Sequence, residues 1–184
     1  MQHMQYYQLL HESGVIVAHD KKLIRKFIRA FSVIDNVGGI YSSIRKNIKT
    51  ILVFPGKDYY TEVFPQKKIW MCQPKTVRES SLEYLASLVI HEAWHIVQHK
   101  RGVKNIGSRG ERGAYLVQRR FLALAKDRQS LRWLDKAYKE KWWLDADDNS
   151  ETRPSDNQGD TRSSMLKFLK QYESGKLRII TLRE

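Results

Sequence analysis

Residues 80–102, SSLEYLASLVIHEAWHIVQHKRG, decide how the chain is read. Ser80 and Glu83 have capping-box spacing, the interior has no Gly or Pro, and Gly102 stands where a helix would stop. The stretch therefore predicts a helix over 80–101, about 30 Å long. Inside it lies His91-Glu92-Ala93-Trp94-His95, an H-E-x-x-H pattern. Residues four apart project from one helix face, so both imidazoles reach a single ion at about 2.0–2.1 Å from each nitrogen. Glu92 is offset by about 100° around the axis, which keeps it out of the ligand pair but within reach of a water on that ion. The flanks are apolar, Leu88-Val89-Ile90 before and Ile96-Val97 after. Two His and a Glu in such surroundings are costly unless something satisfies them.

Working outward, a catalytic zinc takes three protein ligands and leaves the fourth position to water. Glu111 is the candidate third ligand, 15 intervening residues after His95, across Gly102, Gly107 and Gly110, at the start of a helix running from Ser108 through Phe121. Gly113 and Ala114 are small enough to let that helix approach the first. Ser108 and Glu111 also have capping-box spacing, so an N-terminal cap is the alternative role for Glu111. His99 continues the series 91, 95, 99, but lies about 12 Å along the axis from His91, too far to share one ion with both. Histidines 3, 11 and 19 read as surface residues or an accessory patch.

The chain has 184 residues, 41% hydrophobic and 29% charged, which suits one globular domain with at most a smaller appendage. The lone Cys72 excludes an intramolecular disulfide and a Cys-rich metal cage, leaving His and carboxylate as metal ligands. No apolar run is long enough for a membrane-spanning helix, and the first residues lack the charged-then-apolar order of a signal peptide. The expectation is a cytoplasmic protein or one exported by a specialised route. Lys and Arg number 33 against 20 Asp and Glu, a net charge of +13. Such a field steers acidic partners.

Asp20–Ile34 reads as an amphipathic helix with Leu23, Ile24, Phe27, Ile28 and Phe31 on one stripe and Lys and Arg opposite. Thr50–Phe54 and Lys68–Cys72 have strand composition. Residues 130–144 keep helical period, with Trp133, Trp142 and Trp143 as a core cluster or partner patch. Residues 145–160, DADDNSETRPSDNQGD, have one apolar side chain and read as an acidic linker or loop. A calcium loop at Asp145, Asp147 and Asn149 fails because Ser150 stands where the turn needs Gly. Thr161–Tyr172 predicts a further helix and Leu177–Leu182 a strand. The division expected is 1–144 as the main domain, with helix and sheet in 1–79 and the two site helices in 80–128, then 161–184 as a C-terminal helix and strand.

H-E-x-x-H on a helix with a downstream Glu on the next resembles the gluzincin group of zinc metallopeptidases. The text LVIHEAWHIVQHKRG followed by ERGAYLVQRRFL is similar to minigluzincins and to compact metallopeptidase domains of bacterial effectors and toxins. The resemblance implies an α+β, zincin-like fold: a small mixed sheet whose edge strand, here Lys68–Cys72, lies above the active-site helix, which packs on the glutamate helix. It implies zinc on His91, His95 and Glu111, and hydrolysis of peptide bonds in a peptide or protein substrate, for which the charge points to an acidic one. Glu92 takes a proton from the attacking water and returns it to the leaving amine. Tyr115, four residues beyond Glu111, is a candidate to donate to the oxyanion or orient a ligand, against ordinary core packing. A cognate inhibitor or a carrier domain would accompany a delivered toxin. The competing expectation is a basic module for nucleic acid or anionic lipid with a structural zinc, although no recognised nucleic-acid motif accompanies the charge.

Overall fold

The computed structural model describes residues 5–12, 14–103, 107–140 and 156–182. It is a mixed α+β protein with a six-stranded sheet and seven helices among those residues. The strands are β1 (Tyr6–His11), β2 (Gly14–Ala18), β3 (Thr50–Val53), β4 (Thr61–Phe64), β5 (Ile69–Cys72) and β6 (Ile179–Leu182). The helices are α1 (Lys21–Val37), α2 (Ile40–Arg45), α3 (Pro74–Glu79), α4 (Leu82–Lys100), α5 (Ser108–Leu124), α6 (Arg128–Lys139) and α7 (Asp156–Glu173). No described helix is long and apolar enough to cross a membrane.

The sheet runs in the order β4-β5-β3-β2-β1-β6. Its central β5, β3 and β2 are parallel, β4 joins β5 antiparallel, and β6 joins β1 in parallel. Alternation along each strand separates two cores. Ile16, Ile51, Val53, Trp70 and Cys72 face α1, α2 and α4, while Val17, Leu52, Phe54, Ile69 and Met71 face Met165, Phe168 and Leu169 of α7. The segment beyond the acidic stretch thus supplies one layer of the fold and an edge strand. Residues 156–160 belong to α7, whereas 145–155, with the calcium-like pattern, and Trp142 and Trp143 lie outside the described residues.

Two expectations are corrected. The strand at the free edge beside α4 is β4, not Lys68–Cys72: β5 pairs with β3 on one side and β4 on the other. All four residues of β5 are buried, as an interior strand covered on both faces requires. The cap of α4 is Ser81, whose Oγ accepts from Tyr84 N at 3.0 Å, while Ser80 Oγ donates back to Thr76 O at 2.6 Å. The helix that carries His91 and His95 therefore starts at Leu82 and spans 19 residues. At its far end Gly102 takes φ 87°, a left-handed conformation that glycine adopts without strain.

Candidate metal centre

The middle of α4 is largely buried, with Leu88 and Trp94 half-buried, between α1 and α2 behind it and α5 across it. Close approach of α5 depends on Gly113: a Cβ there would fall 2.8 Å from Gln98 Nε2 on α4. Gln98 Nε2 donates instead to Gly110 O at 3.0 Å, tying the first turn of α5 to the last turns of α4. That seam brings Glu111 over His91 and His95. Glu111 lies in the first turn of α5, whose N-cap is Gly107 without a side-chain capping bond, and its carboxylate faces the imidazoles.

His91 Nε2 and His95 Nε2 are 3.2 Å apart. Glu111 Oε2 lies 3.3 Å from the first and Oε1 3.3 Å from the second. Four ligands at about 2.0–2.1 Å around a tetrahedral ion stand about 3.3–3.4 Å from one another, so the nitrogens are spaced as two vertices of such a site. These three residues form a group able to hold a metal ion.

The hydrogen bonds behind the rings decide what the Nε2 atoms present. Gln98 spends its amide N–H on the Gly110 carbonyl, so the oxygen it turns to His95 Nδ1, 3.0 Å away, accepts. Ser87 Oγ donates to Tyr84 O at 2.7 Å and therefore accepts from Gln118 Nε2 at 3.0 Å. This turns Gln118 Oε1 toward His91 Nδ1 at 3.0 Å. Each Nδ1 must then carry hydrogen, and each neutral ring offers a bare lone pair at Nε2. Two lone pairs and a carboxylate facing one another in a buried pocket repel unless a cation or a proton sits between them.

The charge states follow. Burial would raise the Glu111 carboxyl, but hydrogen bonds and charges from His91 and His95 outweigh it and hold it down at about 2. Burial opposes charge on His95, yet its hydrogen bond to Glu111 and the charges of Glu92 and Glu111 push its pKa up. Glu92 moves up as well, chiefly by burial and further by Glu111, against the pull of His91 and His95.

Glu92 lies outside the ligand group and reaches the opposite wall, where its Oε1 is 3.4 Å from Thr61 Oγ1 on β4. The cleft between β4 and the two helices has a volume of about 480 Å³ and is walled by Thr61, Glu62 and Val63 on one side and by Tyr84, Tyr115 and Gln118 on the other. Tyr115 is buried with its ring edge-on to His91, centroids 5.3 Å apart. His99 is half-buried on α4 and outside the group. His11 stands edge-on to Phe31, and His19 keeps a buried Nδ1 without a hydrogen-bond partner.

Sequence reasoning passed over Gln98, Gln118, Ser87 and the strand Thr61–Phe64. Helical spacing held a signal for the first two: Gln98 is three residues past His95, and Gln118 is seven past Glu111, both on the faces that carry the site. Comparison of the chain with family models, curated proteins and solved structures gives no match.

Proposed function

We propose that the chain is a zinc-dependent peptidase. The observation that carries this reading is the pair of imidazoles whose Nδ1 hydrogens are committed to glutamine oxygens, so that bare Nε2 atoms face each other and the Glu111 carboxylate. Two nitrogens and one carboxylate suit zinc, whereas calcium and magnesium prefer all-oxygen cages. A zinc ion there would acidify water and polarise a carbonyl.

The remaining work falls to the chain. Glu92, which lines the cleft beside the ligand group, would accept a proton from the attacking water and pass it to the leaving nitrogen; its raised pKa makes it a better proton acceptor than an ordinary carboxylate. Tyr115 walls the same cleft and is a second candidate for contact with the developing oxyanion. β4 ends the sheet on this side, so its outer edge offers backbone N–H and C=O groups to an extended peptide beside Glu92. A structural ion in a basic binding module would call for a fourth protein ligand, and the group among the described residues has three.

The test is metal analysis of protein purified without chelator, alongside hydrolysis of a mixture of quenched fluorescent peptides. The expected result is one zinc per chain, lost in His95→Ala and Glu111→Ala. Glu92→Gln should keep its zinc while hydrolysis drops by about two to four orders of magnitude. Full activity in Glu92→Gln, or metal content indifferent to His95 and Glu111, overturns the reading.

A further inference from the structure

At the opposite end of the sheet from the cleft, about 24 Å away across five strand spacings, lies a second groove. Its volume is about 740 Å³. Leu9 of β1 and Leu182 of β6 form its floor, and Ile24 and Ile28 of α1 its inner wall. Register places Ile180 beside Tyr7 and Leu182 beside Leu9, so Ile180, 43% exposed, lies on the same side of the sheet as the floor. Along the rim stand Lys21, Arg25 and Arg29. Among the described residues none of the three has a carboxylate within ion-pair distance, and no carboxylate lines the groove.

The spacing selects an occupant. Lys21, Arg25 and Arg29 recur every four residues, about 6 Å along α1, and half-buried Ile28 lies on the same side of α1, with Leu182 and exposed Ile180 across the groove. A second helix laid alongside α1 carries its own side chains at that interval, so a row of Glu at i, i+4 and i+8 would match the cations while a flanking face of Leu or Ile meets Ile28, Leu182 and Ile180. An extended strand, with a repeat of about 6.6–6.8 Å on each face, matches that interval less closely.

We propose that this groove docks an acidic amphipathic helix of a partner protein. The chain's charge of +13 draws such a partner in, and the distance from β4 leaves the cleft open while it is bound.

The experiment uses the full chain and a labelled, end-capped peptide of about 18 residues, long enough to be helical, with a Leu/Ile stripe flanked by Glu at every fourth position. Saturable binding that weakens with salt is expected, with a gain in peptide helicity. Arg25→Glu combined with Arg29→Glu should weaken binding by at least about tenfold while thermal stability and zinc content hold. The same peptide with Lys for Glu should bind that variant better than it binds the parent. Unchanged affinity in the double variant, binding without helix formation, or uptake of phosphatidylserine vesicles or duplex DNA in place of the peptide overturns the proposal.

Discussion

Glu92 and Glu111 are carboxylates in one pocket that burial and neighbours drive apart. Both lose hydration, but Glu111 faces two imidazoles and is held at about 2, whereas Glu92 has a long contact with Thr61 and rises. In the free site the competitor of a metal is therefore a proton on the His95 imidazole, since Glu111 stays ionised throughout the mildly acidic range. The sign follows from His95: its raised pKa means that it holds a proton more tightly, which zinc must displace. Zinc affinity should be at its plateau at alkaline pH and should begin to fall on acidification above the ordinary imidazole value of about 6.5. Chelator-competition titrations across that range check this, and a decline confined to the carboxylate range would contradict it. The glutamines behind the rings give a second expectation. Gln118→Leu or Gln98→Leu strands a buried Nδ1–H and should lower zinc affinity about 10- to 100-fold, and Gln98→Glu, which keeps an acceptor for His95, should retain most of it. Equal affinity in the Leu and Glu variants would mean that the amides do not set the tautomers.

At the scale of elements, the seam between α4 and α5 rests on one missing methyl group. Gly113→Ala sets two effects against each other. Alanine gains up to about 1 kcal/mol of helix propensity, while its Cβ displaces the Gln98 amide that holds both Gly110 and His95. The melting temperature should change little and zinc affinity should fall several-fold; calorimetry and metal titration of one sample separate the two, and an undisturbed affinity would show that Gln98 finds another path. How much of this arrangement could be read beforehand depended on periodicity. The apolar flanks of His91 and His95, the Gly at 102 and the stripe of α1 are strong 3.6-residue signals, and the structure places helices there. The hairpin β1–β2 went unread because Tyr6–His11 shows no clean alternation: Tyr7 and Leu9 pack toward α1 and Tyr6 toward α7, while apolar Leu10 is exposed. β4 went unread because all four residues of Thr61–Phe64 are half-buried, which leaves no contrast between faces. The unbroken apolar run Ile69–Cys72 was itself the mark of an interior strand, and that mark moves the free edge to its neighbour. Gln98 and Gln118 escaped because an amide means nothing chemically until its partner is known.

For the whole molecule, the question is whether the layer beyond the acidic stretch folds with the site or apart from it. Phe168 is 5% exposed, packs against Tyr6 of β1 at 5.2 Å between ring centroids, and shares a core with Phe54 and Met71. Those strands carry on their other face the residues that support α4. Phe168→Ala should cost about 3–5 kcal/mol, a large part of a domain's 5–15 kcal/mol. Because one sheet serves both layers, that loss should fall on the whole structure as a single cooperative transition. Zinc then supplies an independent reading, since a ligand at about 100 times its Kd adds about 2.7 kcal/mol to whatever unfolds together with its site. If α7 and the metal centre share one transition, zinc should restore most of the thermal stability that Phe168→Ala removes, and helical and aromatic circular dichroism should melt at one temperature. A first loss of helix that zinc leaves unmoved, followed by a zinc-sensitive second step, would show instead that 156–182 unfolds independently of the layer that holds His91, His95 and Glu111.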